Sequence, residues 1–175
     1  MDSYSWIHNI DSGPCTDKAA IAGLLPHRGH MALLNRLAPG TDDDMIAEVS
    51  ISTDAFWAAG HFPVNPDTLD KAFPIGPLFP GVLMVESAAQ LSICFWRLKL
   101  GVEATARKVM LFKQIDKAVF KREVRPGDVL YIRSRLEKLS LRLMRCHCEG
   151  VVLKNGQATP EPSFECQIAG MTVDQ

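Results

Sequence analysis

The sequence predicts an α+β protein in which a curved antiparallel sheet of about six strands wraps around one long central helix. Two observations carry this expectation. Residues 81–100 follow a helical pattern that is apolar on nearly every face, with eleven apolar residues among the fifteen from Val82 to Trp96. A helix of that kind has to be buried on all sides. Nearly everything after Gly101 has strand character, and a sheet can cover such a helix only by curling around it.

At 175 residues, 47% apolar and 22% charged, the chain fits one globular domain spanning residues 1–175, with a sizeable core. Residues 1–16 are expected to form a loosely ordered extension, and MDSYSWIHNIDSGPC lacks the basic and apolar regions of a signal peptide. DKAAIAGLL at 17–25 suits a short helix stopped before Pro26. Met31–Leu37 and Met45–Ile51 are predicted strands, separated by the turn signal Pro39-Gly40, and in the second Ile46, Val49 and Ile51 are split by polar residues.

Pro80-Gly81 is a suitable start for the central helix and Gly101 a suitable exit. At about 20 residues it could span a bilayer of roughly 30 Å. Glu86, Gln90, Arg97 and Lys99 interrupt it and no second span accompanies it, so burial within protein is expected, with no membrane span. Lys108–Phe120, Val129–Leu139, Leu141–Leu153 and Phe164–Val173 complete the strands, with turns at Pro126-Gly127-Asp128 and Asn155-Gly156.

The net charge of −1 hides a marked asymmetry: residues 1–96 sum to −7, residues 97–145 to +9 and the last thirty to −3. The basic block could attract an acidic partner or simply be the solvated faces of strands. It lacks interleaved aromatics and any nucleic-acid motif, so nucleic acid is not expected. Five scattered cysteines, an odd number, suit a reducing compartment, and the cytoplasm is the expected location.

Three residues could carry chemistry. Glu86 sits in the apolar helix, where burial would raise its pKa and let it hold a proton as a general acid. Taken alone, a glutamate reaching a salt bridge is the simpler explanation. His61 lies where strand pattern gives way to loop, and imidazole is the natural general base near neutral pH. Alone, it is an ordinary loop histidine. Metal ligation there is unsupported, since no other His or Cys lies nearby at ligand spacing. Gly81 would open the helix, and its backbone N–H could approach a developing oxyanion closely. Base, acid and oxyanion donors are the parts needed to remove a proton α to a carbonyl and expel a β-hydroxyl as water.

GHFP at 60–63 followed by FPGVLMVESAAQ at 79–90 resembles the signature of the β-hydroxyacyl-acyl carrier protein dehydratases, on their FabZ-like branch. LLPHRGHMALLNRL at 24–37 and FKQIDKAVFKREVRPGDVL at 112–130 are similar to further motifs of that family, in the same order. The resemblance implies a hotdog fold and the dehydration of (3R)-hydroxyacyl thioesters on acyl carrier protein to trans-2-enoyl thioesters, in fatty acid or related polyketide or polyene biosynthesis. It implies that His61 takes the α-proton, that Glu86 protonates the departing hydroxyl and that the Gly81 N–H polarises the thioester carbonyl. Phe62, Pro80, Val82, Leu83 and Val85 would lie near the substrate. The family's sites form between subunits of a homodimer, in some cases within a trimer of dimers, and no cofactor or metal is implied. Lys117, Lys121, Arg122 and Arg125 would suit docking of the acidic carrier.

One departure from the family is large. Between GHFP and the helix, residues 64–79 insert about ten residues more than the family pattern, and five of the chain's eleven prolines fall between 63 and 80. This segment is expected to reshape the tunnel mouth, or to be a tolerated surface insertion. A hotdog thioesterase and a carrier-binding scaffold subunit without activity are the competing functions. His27-Arg28 matches the family's N-terminal motif but has no acid partner nearby in sequence, and reads as structural. Cys146 and Cys148, two apart in a strand, are expected to be buried on one face rather than to bind zinc, and Trp57 and Trp96 are expected in the core.

Overall fold

The computed structural model describes residues 4–41, 43–63, 76–154, 157–159 and 161–174. A 3₁₀ turn at Ser5–His8 leads into α1 (Asn9–Ser12), β1 (Thr16–Asp17) and α2 (Lys18–Leu24). A second 3₁₀ turn (Gly29–Met31) precedes β2 (Arg36–Pro39) and β3 (Asp44–Ser50). The central helix α3 (Gly81–Leu100) is followed by β4 (Lys108–Phe120), β5 (Val129–Leu139), β6 (Leu143–Lys154), β7 (Gln157–Ala158) and β8 (Phe164–Asp174). The strands pair antiparallel in the order β1-β2-β3-β5-β6-β8-β4, with β7 beside β6. This is the predicted class, a hotdog sheet curved around one helix.

The apolar character of α3 decides the arrangement. Every residue from Ser87 to Trp96 is buried. Inward-facing strand residues such as Met45, Ala47, Leu130, Ile132, Val152 and Ile168 close over it. Two of its buried polar side chains find partners on the sheet side: the Ser92 and Ser134 hydroxyls lie 2.7 Å apart, and Trp96 Nε1 donates to the Ser140 carbonyl at 2.9 Å. Gly101 ends the helix at φ +92°, a conformation that costs glycine little. Trp57 and Trp96 are both in the core. Cys94, Cys146, Cys148 and Cys166 are buried free thiols, while Cys15 is exposed. Burial pushes the Cys94 and Cys146 thiols up to about 12, which keeps them protonated and unreactive.

Two expectations are corrected. Residues 31–35 are not strand, and β2 begins only at Arg36. The fully buried Gln90 intercepts this segment: its Nε2 donates to the Met31 carbonyl at 2.7 Å and its Oε1 accepts from Leu33 N at 3.2 Å. Backbone groups that a ladder would have used are thereby satisfied from the helix. The N-terminal extension, expected to be loose, is helical over residues 5–12 and packs on the sheet. Trp6, Ile7 and Ile10 cover the outer face formed by Ala38, Ile46, Tyr131 and Val151. The Arg133 guanidinium stands 5.0 Å over the Trp6 ring. Trp6→Ala is therefore expected to cost about 3 kcal/mol of stability, seen as a lower urea midpoint with an unchanged slope. No change in midpoint would show that the segment does not hold the sheet.

Candidate active site

His61 is placed by a tight turn that follows β3. Ala58 N donates to Ala55 O at 2.9 Å, and Gly60 N and His61 N both donate to Trp57 O, at 3.1 and 2.8 Å. Trp57 is buried edge-on against Phe79, with ring centroids 5.4 Å apart, so the turn is anchored to the residues just before α3. Phe79 N in turn donates to Val124 O at 2.8 Å, which ties those residues to the segment after β4.

The imidazole has a defined orientation. Its Nδ1 lies 2.8 Å from the Leu78 carbonyl, an atom that can only accept. Nδ1 therefore carries a hydrogen, and in the neutral ring Nε2 keeps its lone pair free. The Phe62 ring packs edge-on against the imidazole at 4.8 Å, with Phe62 held at φ +60°. A backbone strained in this way beside a histidine is a feature often found at functional sites.

His61 borders a cavity of about 470 Å³ that reaches the start of α3. Gly81, Val82 and Met84 form one wall, Leu78, Phe79 and Phe120 another, and Lys121, Arg122 and Glu123 the rim. Leu83 N and Met84 N donate to Pro80 O at 2.9 and 3.2 Å, which leaves the N–H groups of Gly81 and Val82 without an acceptor in the helix, and both residues line the cavity. Glycine at 81 suits the close approach of Phe120. A Cβ there would lie 2.9 Å from the Phe120 ring, which would have to shift away from the helix start.

Glu86 is half-buried rather than enclosed, with its side chain 21% exposed. Its Oε1 accepts from Gln90 Nε2 at 2.7 Å and lies 3.2 Å from His27 Nε2. His27 thus has an acid partner after all, supplied from 59 positions along the chain rather than from its own neighbourhood. No signal in residues 24–37 could have revealed that pairing. Glu86 does not share the His61 cavity. Five residues beyond Gly81, it is turned about 140° around the helix, toward the 27–33 segment that Gln90 holds.

The remaining sequence candidates divide. Val82, 73% exposed, lines the cavity, and Pro80 is buried as the residue capping α3. Val85 instead points into the core, and Leu83 packs against that core, so neither borders the cavity. Met84, Leu78, Phe79 and Phe120 do, and were not singled out in the sequence. Among the basic residues, Lys121 and Arg122 stand on the rim, where Lys121 pairs with Glu165 at 3.0 Å and Arg122 with Glu161 at 3.9 Å. Arg125 is engaged by Glu123 at 2.9 Å, and Lys117 is exposed on β4 at φ +52°; neither borders the cavity. Residues 64–75, most of the insertion, lie outside the described residues. Among the described residues no cluster of His, Cys, Asp and Glu could hold a metal ion, and no helix is long and apolar enough to cross a membrane.

Comparison with known proteins agrees with this architecture. The 3-hydroxyacyl-acyl-carrier-protein dehydratase FabZ of Wolbachia pipientis subsp. Culex pipiens is 34% identical over 157 residues, covering 87% of this chain and 90% of its own. The FabZ dehydratase of Psychrobacter arcticus is 35% identical over 112 residues, covering 64% and 70%. Among solved structures, a chain of the dehydratase heterocomplex ApeI:P from Xenorhabdus doucetiae superposes with TM-score 0.65 at 18% identity, covering 89% of this chain and 91% of that one. A thioesterase from Haemophilus influenzae shares the fold at TM-score 0.51 and 13% identity, over 79% and 78%. The FabA-like domain matches residues 25–161, from the 24–37 motif to the strands that close over α3, and the chain belongs to that family.

Proposed function

We propose that the protein dehydrates 3-hydroxyacyl thioesters carried on acyl carrier protein, giving trans-2-enoyl thioesters. The observation that carries this is His61, whose Nδ1–H is committed to Leu78 O and whose Nε2 is left to act as a base beside the start of α3. In the reaction Nε2 removes the α-proton, and negative charge grows on the thioester oxygen, where the Gly81 and Val82 N–H groups are placed to receive it. The new double bond forms as the β-C–O bond breaks, and Glu86 supplies the proton with which the hydroxyl leaves as water.

Within one chain Glu86 lies away from the His61 cavity, so the site is completed by a second copy. β4 is suited to join the copies: it is an edge strand, and Leu111, Phe112, Ile115, Val119 and Phe120 are all exposed. An apolar edge of that length is a liability unless paired. Lys121 and Arg122 at the cavity rim suit an acidic carrier protein, and the free thiols suit the cytoplasm. The described end of the 64–79 insertion brings Leu78 and Phe79 to the cavity, a placement that supports a role in choosing the acyl group.

The purified protein is expected to convert a 3-hydroxyacyl thioester on acyl carrier protein to a conjugated enoyl product. Release of free thiol without enoyl formation would instead favour a thioesterase, and carrier binding without product a scaffold. His27 Nε2 stands 3.2 Å from Glu86 Oε1 and fixes where that carboxyl points, so His27 acts as a positioning residue. His27→Ala is expected to lower kcat by about tenfold with KM little changed. A kcat equal to wild type would remove that role.

A further inference from the structure

A second cavity of about 280 Å³ lies between α2, the later half of α3 and the start of β4, and shares no residue with the His61 cavity. Its walls include Gly23, Ile93, Val109 and Met110, together with two arginines, Arg28 and Arg97. Among the described residues neither arginine has a carboxylate within ion-pair distance. Arg28 Nη1 donates to the carbonyls of Leu25 and His27, at 2.6 and 2.8 Å. Arg97 donates from Nη2 to Lys108 O at 3.1 Å, while its Nε is buried without a partner.

A buried guanidinium donor with nothing to donate to is unfavourable, and native structures rarely leave one without a reason. Arg97, whose guanidinium also lies 5.9 Å over the Trp96 ring, brings the orphaned donor to the cavity, and the exposed Arg28 adds a second positive charge at its edge, so an anion fits between them. The planar fork of arginine matches a carboxylate best. The apolar walls at Ile93, Val109 and Met110 ask for a hydrocarbon portion beside it. We propose that this cavity binds the carboxylate of a short alkyl chain, with Arg97 and Arg28 as its charge partners.

That carboxylate has two sources. Glu86, Gln90, Ile93 and Arg97 follow one another at helical spacings on a single face of α3. The cavity is thus on the same face as the candidate acid, roughly 16 Å along the helix axis. The carboxylate is either the far end of an acyl substrate, a source that rests on the dehydratase function, or a free short-chain acid. Binding itself does not depend on that function.

The test is calorimetry on the purified protein with hexanoate and with hexanol. Hexanoate is expected to bind at least about tenfold more tightly than hexanol, as a charge-assisted pair requires. Two variants should each weaken hexanoate about tenfold. Arg97→Met removes the charge, and Gly23→Leu adds bulk at a lining residue whose Cβ would have no atom within 4 Å. Equal binding of acid and alcohol, no binding of hexanoate, or wild-type affinity in both variants would overturn the proposal. If hexanoate then raises KM in the dehydration assay, the cavity is the end of the acyl path. If it lowers kcat and leaves KM alone, the ligand is a free acid. A protein inactive in that assay would undo the proposed function and leave the calorimetry standing.

Discussion

His61→Ala and Glu86→Gln are each expected to lower kcat by about 10²–10⁴-fold, the usual contribution of a positioned general base or acid. The two losses have different causes. In His61→Ala the imidazole whose Nε2 is oriented as a base at the cavity is gone, while the turn that carries it is held by Trp57 O and survives. In Glu86→Gln the side chain keeps its shape but can no longer deliver a proton to the leaving hydroxyl. Neither change removes a buried apolar contact, so thermal midpoints should stay near wild type. KM should move little, because the acyl chain and the carrier are held elsewhere. Full activity in either variant would take that residue out of the reaction.

Ile115→Asp is expected to abolish the dimer and, with it, activity, by a factor comparable to the loss of His61, about 10²-fold or more. Ile115 lies near the middle of the edge strand and is half exposed in the single chain. Two copies pairing antiparallel through β4 would bring both introduced carboxylates close to the two-fold axis, where like charges across paired strands repel. A charge on an edge strand is also the usual device by which proteins prevent such pairing. The variant should sediment as a folded monomer, its far-ultraviolet spectrum unchanged. A monomer as active as wild type would mean that one chain builds the whole site.

How much of this was legible depended on whether the information was local. The central helix could be read from its all-round apolar sequence between Pro80 and Gly101, and it emerged with the predicted bounds. The strands from Lys108 onward were legible because turn residues separate runs of β-formers, and they emerged within a few residues of expectation. The 3₁₀ turn and single helical turn of residues 5–12 are too short to show a helical period, so the segment read as a loose extension. The backbone of residues 31–33 was misread because its partner is a side chain 57 to 59 positions away.

The site divides in the same way. The types and order of His61, Gly81 and Glu86 stand in the sequence as motifs. Their mutual placement does not, since it follows from how α3 is rotated against the sheet. The same rotation sends Val85 into the core and Met84 to the cavity, and it gives Glu86 to His27 rather than to His61.

The sharpest test of a shared acid–base site is to mix the two inactive proteins, His61→Ala and Glu86→Gln, after dissociating and reassociating the subunits. If each site takes its histidine from one copy and its glutamate from the other, half of the sites in every mixed dimer are intact, and random mixing restores about a quarter of wild-type activity. If both groups act from the same chain, every site in every dimer lacks one of them. Activity that stays at the level of the two parents after verified subunit exchange would contradict the shared site.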